Sequence, residues 1–166
     1  METSVAWSEQ DNIFMREALK CAVQAYKLGE VPVGAVVVFQ NEIIGRGYNQ
    51  PIMRHDPSAH AEMMAIRQAA RKIGNYRLVD CQLYVTLEPC LMCSGAIMHA
   101  RIGQVIYGAP DFKTGACDSV LNVFENSQLN HHAKVRSGLL ADEAVSLLKQ
   151  FFAERRAQKQ LAKGVE

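Results

Sequence analysis

The stretch CQLYVTLEPCLMCSGAIMHA, residues 81–100, decides the fold of this chain. Its first part, Cys81–Thr86, is a short run of apolar and β-branched residues, which is typical of a buried strand. Its second part, Cys90–Ala100, reads as a helix, and Pro89 stands where a helix opens and a missing N–H costs nothing. A buried strand that runs directly into a helix predicts a sheet covered by helices.

The same alternation of strand and helix patterns runs through the rest of the chain. Residues 49–58 are rich in turn formers and predict a loop. Together the patterns predict an α/β fold, with both metal-ligand motifs described below at helix starts. The predicted helices are Asp11–Leu28, His60–Lys72, Cys90–Ala100 and one from about Asp142 to the basic end; the predicted strands are Val33–Phe39, Ile43–Tyr48, Cys81–Thr86, Gln104–Tyr107 and Lys134–Arg136.

Length and composition indicate one globular domain over residues 1–166, with a core of about 8–152 and a basic C-terminal helix or tail from about 153. Hydrophobic residues make up 49% of the chain and charged residues 21%, which is usual for a soluble protein. The longest apolar stretch, Val33–Phe39, is too short to cross a bilayer, so no membrane association is expected. Five cysteines, an odd number, and an N-terminus without a secretory pattern predict a reducing compartment and a cytoplasmic location.

Three candidate metal ligands fall in two short motifs, HAE at residues 60–62 and PCLMC at residues 89–93. A structural zinc site has four protein ligands, whereas a catalytic zinc keeps one position for water, and one histidine with two cysteines is an established catalytic set. Two thiolates and a neutral imidazole cancel the charge of Zn²⁺, so the water becomes a hydroxide only if a neighbouring base takes its proton. The motifs therefore predict a hydrolytic zinc site with the ligands His60, Cys90 and Cys93 and the proton shuttle Glu62.

The spacing of these residues also predicts their local structure. Cys90 and Cys93 are three apart, so on a helix their sulfurs share one face near the N-terminus, where the helix dipole lowers a thiol's pKa. His60 and Glu62 are two apart and would diverge on a regular helix, so His60 must precede the helix with non-helical backbone. Ser58 is the expected N-cap of that helix.

Two other readings of the cysteine motif remain open. A structural zinc knuckle would take a distant fourth ligand, such as Cys117 or another histidine, and would leave Glu62 as a solvated helix residue. A redox C-x-x-C pair would leave the histidine and glutamate of residues 60–62 unexplained. The pairing of H-x-E with P-C-x-x-C is more specific than a C-x-x-C alone and favours the catalytic site.

Charge is unevenly distributed although the net charge is only +1. Residues 63–79 contain four basic residues and no acidic one, and residues 144–163 contain five basic residues and only Glu154 as an acid. Either segment is a candidate to meet phosphates, although for either one alone the pattern favours a solvated helix face or tail. The basic residues are Arg67, Arg71, Lys72 and Arg77 in the first segment and Lys149, Arg155, Arg156, Lys159 and Lys163 in the second.

The two metal motifs together are the signature of the zinc-dependent nucleoside and nucleotide deaminases, in which an activated water attacks the carbon that carries an exocyclic amine. From roughly Phe14 to Phe152 the chain resembles one branch of them, the bacterial tRNA-specific adenosine deaminases. The stretches that carry this resemblance are VPVGA at 31–35, NQP at 49–51, HDP at 55–57, NYRL at 75–78, YVTLE at 84–88 and KTG at 113–115.

The resemblance implies a three-layer α/β/α sandwich around a five-stranded mixed sheet, a homodimer, and one zinc per chain. It implies conversion of adenosine to inosine at the wobble position of a tRNA anticodon loop, with Glu62 moving the protons. It also implies substrate-binding residues: Asn49 as a hydrogen-bonding partner of the base, and Asp111 and Lys113 in the 108–115 loop where the nucleotide approaches. On sequence alone, an asparagine before Gln-Pro such as Asn49 is more often a turn residue, and Asp111 and Lys113 are equally an ordinary loop pair.

Three alternative functions share the zinc spacing or the basic segments. They are a deaminase of free bases or mononucleotides such as guanine or deoxycytidylate, a cytidine deaminase acting on polynucleotide, and a catalytically silent RNA-binding partner. The flanking stretches, above all 49–60 and 108–119, favour adenosine in RNA over the first two. A silent partner would have no use for Glu62.

Overall fold

A computed structural model describes residues 6–164 and places a mixed five-stranded sheet at the centre of the molecule. The helices are α1 (Glu9–Lys27), α2 (Pro51–Arg54), α3 (Ala61–Ile73), α4 (Leu91–Ala100) and α5 (Ala141–Lys163); the strands are β1 (Gly34–Phe39), β2 (Glu42–Tyr48), β3 (Gln82–Leu87), β4 (Gln104–Ala109) and β5 (Lys134–Ser137); a 3₁₀ turn covers Val123–Glu125.

The strands lie in the order β2-β1-β3-β4-β5. Strand β1 pairs antiparallel with β2 and β3, whereas β3, β4 and β5 run parallel. The β1–β2 hairpin turns through Gln40 and Asn41, whose φ values of 50° and 61° fit the two central positions of a type I′ turn. Parallel neighbours require a crossover connection: α4 supplies the one between β3 and β4, and the segment with the 3₁₀ turn supplies the one between β4 and β5. The predicted three-layer fold with five mixed strands is confirmed.

Each face of the sheet has its own apolar core, because side chains along a strand alternate between faces. Val36 and Val38 of β1 pack with Phe14 and Ala18 of α1, on the face that also carries α5. Val37, the residue between them, packs in the opposite core, which contains residues of α3 and α4. The metal motifs therefore lie in one layer, on the helices α3 and α4.

Two glycines of β2 allow α3 to approach the sheet closely. A Cβ atom at Gly45 would collide with the carbonyl of Ala65, and one at Gly47 would collide with the carbonyl of Ala61, the first residue of α3. These positions need the absence of a side chain rather than an unusual φ, because their backbone is that of a strand. The close approach fixes where α3 begins.

Two local features differ from the predictions. The predicted loop at 49–58 contains the short helix α2, because the buried carboxylate of Glu30 accepts the N–H groups of Ile52 and Met53 at 3.1 and 2.9 Å. Ser58 does not cap α3: its N–H and hydroxyl both donate to Asp56 Oδ1, at 2.8 and 2.7 Å. The acceptor for the first backbone N–H of α3 is instead the side chain of Asn49, which is described with the candidate site below.

None of the helices within residues 6–164 is both long enough and apolar enough to cross a bilayer. Helix α5 continues as far as Lys163, so the basic residues predicted for the C-terminal part are helical up to that point. The predicted cytoplasmic location, which rests on the cysteine count and the N-terminal residues, stays a prediction.

Gly47→Ala should destabilise the protein, because a methyl group at this position forces α3 away from β2. Overpacking of this kind costs about 1–3 kcal/mol of unfolding free energy. The matched control is Gly95→Ala in α4, where an added Cβ meets no atom within 4 Å and should stabilise the helix by about 0.5–1 kcal/mol. Urea unfolding of both variants measures the difference. Equal stability of the two variants would contradict the close-packing argument.

Candidate metal centre and catalytic pocket

Two helix starts meet at the candidate metal centre. His60 precedes α3 with φ −74° and ψ 156°, and Cys90 precedes α4 with φ −76° and ψ 178°. Both residues therefore have the extended backbone of an N-cap. This is the non-helical geometry that the sequence predicted for His60, and it lets His60 and Glu62 share one side of the helix start.

The three candidate ligands have the separations of a tetrahedral zinc site. His60 Nδ1 lies 3.6 Å from Cys90 Sγ and 3.6 Å from Cys93 Sγ, and all three ligand atoms lie within 4.8 Å of one another. Zinc bonds of about 2.3 Å to sulfur and about 2.0–2.1 Å to nitrogen, at the tetrahedral angle, separate sulfur from nitrogen by about 3.6 Å. The residues present therefore fit a zinc ion.

The cysteine proposed as an alternative fourth ligand is engaged elsewhere. Cys117 is buried, and its Sγ lies 3.8 Å from the hydroxyl of Ser94. Among residues 6–164 the only group of three or more histidine, cysteine or acidic side chains that is placed to share a metal is His60, Cys90 and Cys93. A three-ligand set leaves one tetrahedral position for water, as in catalytic zinc sites.

The surroundings favour the thiolate form at one cysteine. A hydrogen bond from the Cys93 thiol, together with contact with His60, lowers the pKa of Cys90 to about 4 despite its burial. The same hydrogen bond and burial raise the pKa of Cys93, because the pair shares one proton. A bound divalent cation removes that proton, since a coordinating thiol is deprotonated.

Glu62 lies beside the ligands with only 4% of its surface exposed. Burial raises the pKa of its carboxyl above the usual range. A carboxyl that holds its proton more tightly than usual is suited to take a proton from water and to return it to a substrate near neutral pH.

The ligands and Glu62 face a pocket of about 200 Å³. Five of the residues predicted for the site line it: Asn49, His60, Glu62, Cys90 and Asp111. Cys93 is fully buried next to them, and Lys113 lies outside the pocket, where it lines a neighbouring groove. Val31, Val33, Pro51, Leu87, Glu88 and Thr114 complete the wall.

Asn49 has a structural role that the sequence did not predict. Its Oδ1 accepts the N–H of Ala61 at 2.8 Å, so it satisfies the start of α3 from twelve residues away. The acceptor oxygen is thus oriented towards the helix, and the amide nitrogen provides two N–H donors. Asn49 therefore couples the position of His60 to the wall of the pocket.

Glu88 organises the loop that carries Asp111, and sequence analysis assigned it no role. Its carboxylate accepts the N–H groups of Cys117, Asp118 and Ser119 at 3.1, 2.9 and 3.0 Å and that of Asp111 at 3.1 Å. Burial alone would raise the pKa of Glu88, but the hydrogen bond that the Ser119 hydroxyl donates, together with those from the backbone N–H groups, outweighs it, and the pKa lies below its usual range. In the sequence, Glu88 is visible only as an acidic residue directly before Pro89 and Cys90, and that position does not indicate its backbone partners without the fold.

The carboxylate of Asp111 is used within its own loop. Its Oδ1 accepts the N–H groups of Lys113 and Thr114, and its Oδ2 accepts the Thr114 hydroxyl at 2.8 Å. The resulting tight turn serves two cavities: its end residues Asp111 and Thr114 line the pocket, and its central residues Phe112 and Lys113 line the groove.

Comparison with known proteins places these residues in a family. Residues 8–109 match the zinc-binding region of cytidine and deoxycytidylate deaminases. A tRNA-specific adenosine deaminase of Haemophilus influenzae is 48% identical over 166 residues, which cover 99% of this chain and 96% of that protein.

Solved structures agree with this comparison. One from a study of A-to-I editing by tRNA:A34 deaminases at the wobble position of transfer RNA has a TM-score of 0.80 and 43% identity, covering 82% of this chain and 99% of that one. A guanine deaminase of Nitrosomonas europaea has a TM-score of 0.74 at 23% identity, covering 90% of this chain and 87% of that one, and shares the fold alone.

We expect the purified protein to bind about one zinc per chain. Cys93→Ala should lose the zinc, because the substitution removes one of the three protein ligands. Cys117→Ala is the matched control, since it removes another buried thiol and should keep the zinc. Elemental analysis of both variants measures the metal content. Full zinc in Cys93→Ala, or loss of zinc in Cys117→Ala, would show that the ligand set is wrong.

Proposed function

Because the chain belongs to the zinc-binding cytidine and deoxycytidylate deaminase family, we propose that it hydrolytically deaminates adenosine to inosine at the wobble position of a tRNA anticodon. The observation that carries this proposal is the arrangement of His60, Cys90 and Cys93 around a tetrahedral position beside the buried Glu62. The substrate follows from the similarity to tRNA-specific adenosine deaminases over nearly the whole chain.

The reaction exchanges the amino group on C6 of adenine for the oxygen of water. Zinc, when bound by His60, Cys90 and Cys93, supplies Lewis-acid activation of that water. Glu62 takes a proton from the water and delivers it to purine N1 as the new C–O bond forms at C6. Glu62 then takes the remaining proton from the new hydroxyl on C6 and gives it to the departing amine, the C–N bond breaks as C6=O forms, and ammonia and inosine result.

Asn49 positions the base in this scheme. Its Oδ1 is held by the N–H of Ala61, so its two amide N–H donors have a fixed direction at the pocket wall. Fixed donors contribute to orientation because no rotamer freedom is lost when the base binds. Asp111 acts indirectly, by holding the 111–114 turn that forms one side of the pocket.

A groove next to the pocket favours an RNA substrate over a free base. It has a volume of about 860 Å³ and runs between the 109–113 segment and α5. Two aromatic rings are exposed at its surface, Phe112 at 80% and Phe152 at 45%. Exposed aromatic side chains beside basic residues are the usual means of stacking unpaired bases and contacting their phosphates. The basic residues that line the groove are Lys113, Lys149, Arg155, Arg156 and Lys159.

The basic residues of α5 do not all have the same role. Arg155 lies over the ring of Phe151, 4.9 Å from its centroid, and donates to the carbonyl oxygen of Gly29, so it fastens α5 to the end of α1. Arg156 and Lys159 make no such contact with the described residues. They are therefore better candidates for RNA phosphates than Arg155.

The proposed function is tested by offering the enzyme four substrates: an anticodon stem-loop with adenosine at the wobble position, free adenosine, guanine and deoxycytidylate. We expect inosine only from the stem-loop at appreciable rate. Glu62→Ala is the control, because it should keep zinc and bind RNA yet lose a factor of about 10² to 10⁴ or more in single-turnover rate. Equal efficiency on free adenosine, or turnover of guanine or deoxycytidylate instead, would contradict the proposal.

We also propose that the enzyme is a homodimer that uses the outer face of α4. The small and apolar residues Ala65, Ala69 and Ile97 of α3 and α4 are fully buried within one chain, so they are not available for a contact between protomers. The exposed apolar residues are instead Leu91 and Met92 at the start of α4, and Val120 and Leu121 in the segment joined to it by the Cys90–Gly115 bridge.

Light scattering at micromolar concentration should give about twice the chain mass of 18.4 kDa. Leu121→Glu should reduce that mass, because burying a carboxylate in an apolar contact is costly. Leu161→Glu, a change of the same kind at a residue 73% exposed on α5, should leave it unchanged. A monomeric mass for the active wild-type protein would refute the dimer, and an unaffected Leu121→Glu would refute this interface.

A further inference from the structure

A second cleft, with a volume of about 490 Å³, lies between strand β2 and helix α3. Four of its ten lining residues are arginines, namely Arg46, Arg54, Arg67 and Arg71. Nothing in the proposed chemistry uses them. Helix α3 and α5 cover opposite faces of the sheet, so this cleft is separate from the groove along α5.

Most of this positive charge has no partner within the described residues. Arg46 forms an ion pair with Glu17 at 2.7 Å. No carboxylate of residues 6–164 lies within 4.0 Å of the guanidinium of Arg54, Arg67 or Arg71. The one acid that lines the cleft, Asp56, accepts the N–H and hydroxyl of Ser58 and also interacts electrostatically with Arg67 and Arg54, so one carboxylate faces four guanidinium groups. The cleft therefore attracts anions.

Two of the arginines are held in position by neutral partners. Arg54 Nε donates to Oε1 of the buried Gln50 at 2.6 Å. Arg67 donates to the hydroxyl of Ser58 at 3.4 Å and contacts the sulfur of Met64 at 3.8 Å. A guanidinium has five N–H donors in a rigid fork, so each keeps donors for an incoming group. Arginine forks match phosphate oxygens in geometry as well as in charge.

The cleft adjoins the catalytic pocket through one stretch of chain. Asn49 lines the pocket and Gln50 lines the cleft, and Gln50 N–H donates to the carbonyl of Ala59 at 2.9 Å. Helix α3 begins directly after the candidate ligand His60, and at 1.5 Å per residue Arg67 and Arg71 lie about 10 and about 16 Å from His60 along the helix axis. Their spacing of four residues places both on one face.

A base in the middle of a loop has a strand leaving it in two directions, and the groove along α5 is the candidate surface for one of them. We propose that the arginine cleft binds the phosphates of the other strand. The inference rests on the proposed function, because it requires an RNA whose target base lies in the zinc pocket. It adds a binding surface made by Arg54 of α2 and by Arg67 and Arg71 of α3.

The test compares Arg67→Gln/Arg71→Gln with the control Lys72→Gln. Lys72 is on the same helix but does not line the cleft, and it lies 3.8 Å from Glu42. Binding of the anticodon stem-loop is measured over a range of salt concentrations. If each arginine neutralises one phosphate, the double variant should lose about 1.4 from the slope of log affinity against log salt. We expect at least about tenfold weaker binding at low salt, and the control should retain the wild-type slope.

Three further measurements separate this inference from its alternatives. Zinc content should match wild type in the double variant, because neither arginine belongs to the candidate metal-binding group. Inorganic phosphate should perturb the NMR signals of the arginine N–H groups, and the stem-loop should displace it. Sedimentation should give the same mass for the wild type and the double variant.

Each contrary result has a distinct meaning. If the double variant has the affinity and the salt dependence of the wild type, the cleft does not bind RNA phosphates. The proposed function is unaffected by that result if the wild type edits the stem-loop. Phosphate binding that RNA does not displace would make the cleft a small-anion site and overturn the RNA assignment. A changed mass of the double variant would show that the cleft is a contact between protomers, and this result would also overturn the RNA assignment. A wild type that neither binds nor edits the stem-loop refutes the proposed function and this inference together.

Discussion

The rest of the structure depends on the meeting of two helix starts at one point. His60 Nδ1 can lie 3.6 Å from both cysteine sulfurs only if α3 and α4 begin side by side in the same layer. Three structural features hold the starts of α3 and α4 next to each other. Gly45 and Gly47 let α3 approach β2, Asn49 satisfies the first N–H of α3, and the crossover from β3 to β4 places α4 next to it. A metal site of this kind is therefore a property of the whole sheet and not of either motif alone.

Buried carboxylates have two opposite environments around the pocket, and the difference separates chemistry from architecture. Glu62 is buried without donors that outweigh its desolvation, so its pKa is raised and it is suited to move protons. Glu88 is equally buried but accepts four backbone N–H groups, so its pKa is lowered and it stays an anion that fixes the 111–119 segment. The same side chain thus serves as a proton carrier at one position and as a permanent anchor at the other.

The groove beside the small pocket indicates a substrate larger than a free base. A volume of about 200 Å³ next to the ligands accommodates little more than a base, whereas the groove along α5 is about four times as large and carries exposed rings and cations. An enzyme for free bases has no use for such a surface. The arginine cleft along α3 extends the same logic to the other side of the target nucleotide. In this arrangement the phosphates supply the binding energy, and the pocket uses orientation and proton transfer to act on a single base.

The sequence by itself determined the α/β class, nearly all helices and strands, and the chemistry of the site, because hydrophobic periodicity and ligand spacing are local properties. It identified the non-helical backbone of His60 from a spacing of two residues. It did not identify the cap of α3, the helix α2 or the role of Glu88, because Asn49, Glu30 and Glu88 each act on backbone groups at least twelve residues away. It also could not tell which basic residues are free: Arg155 is tied to Gly29, and Arg67 and Arg71 share a cleft with Arg54. Those contacts join distant segments, so only the tertiary structure decides them.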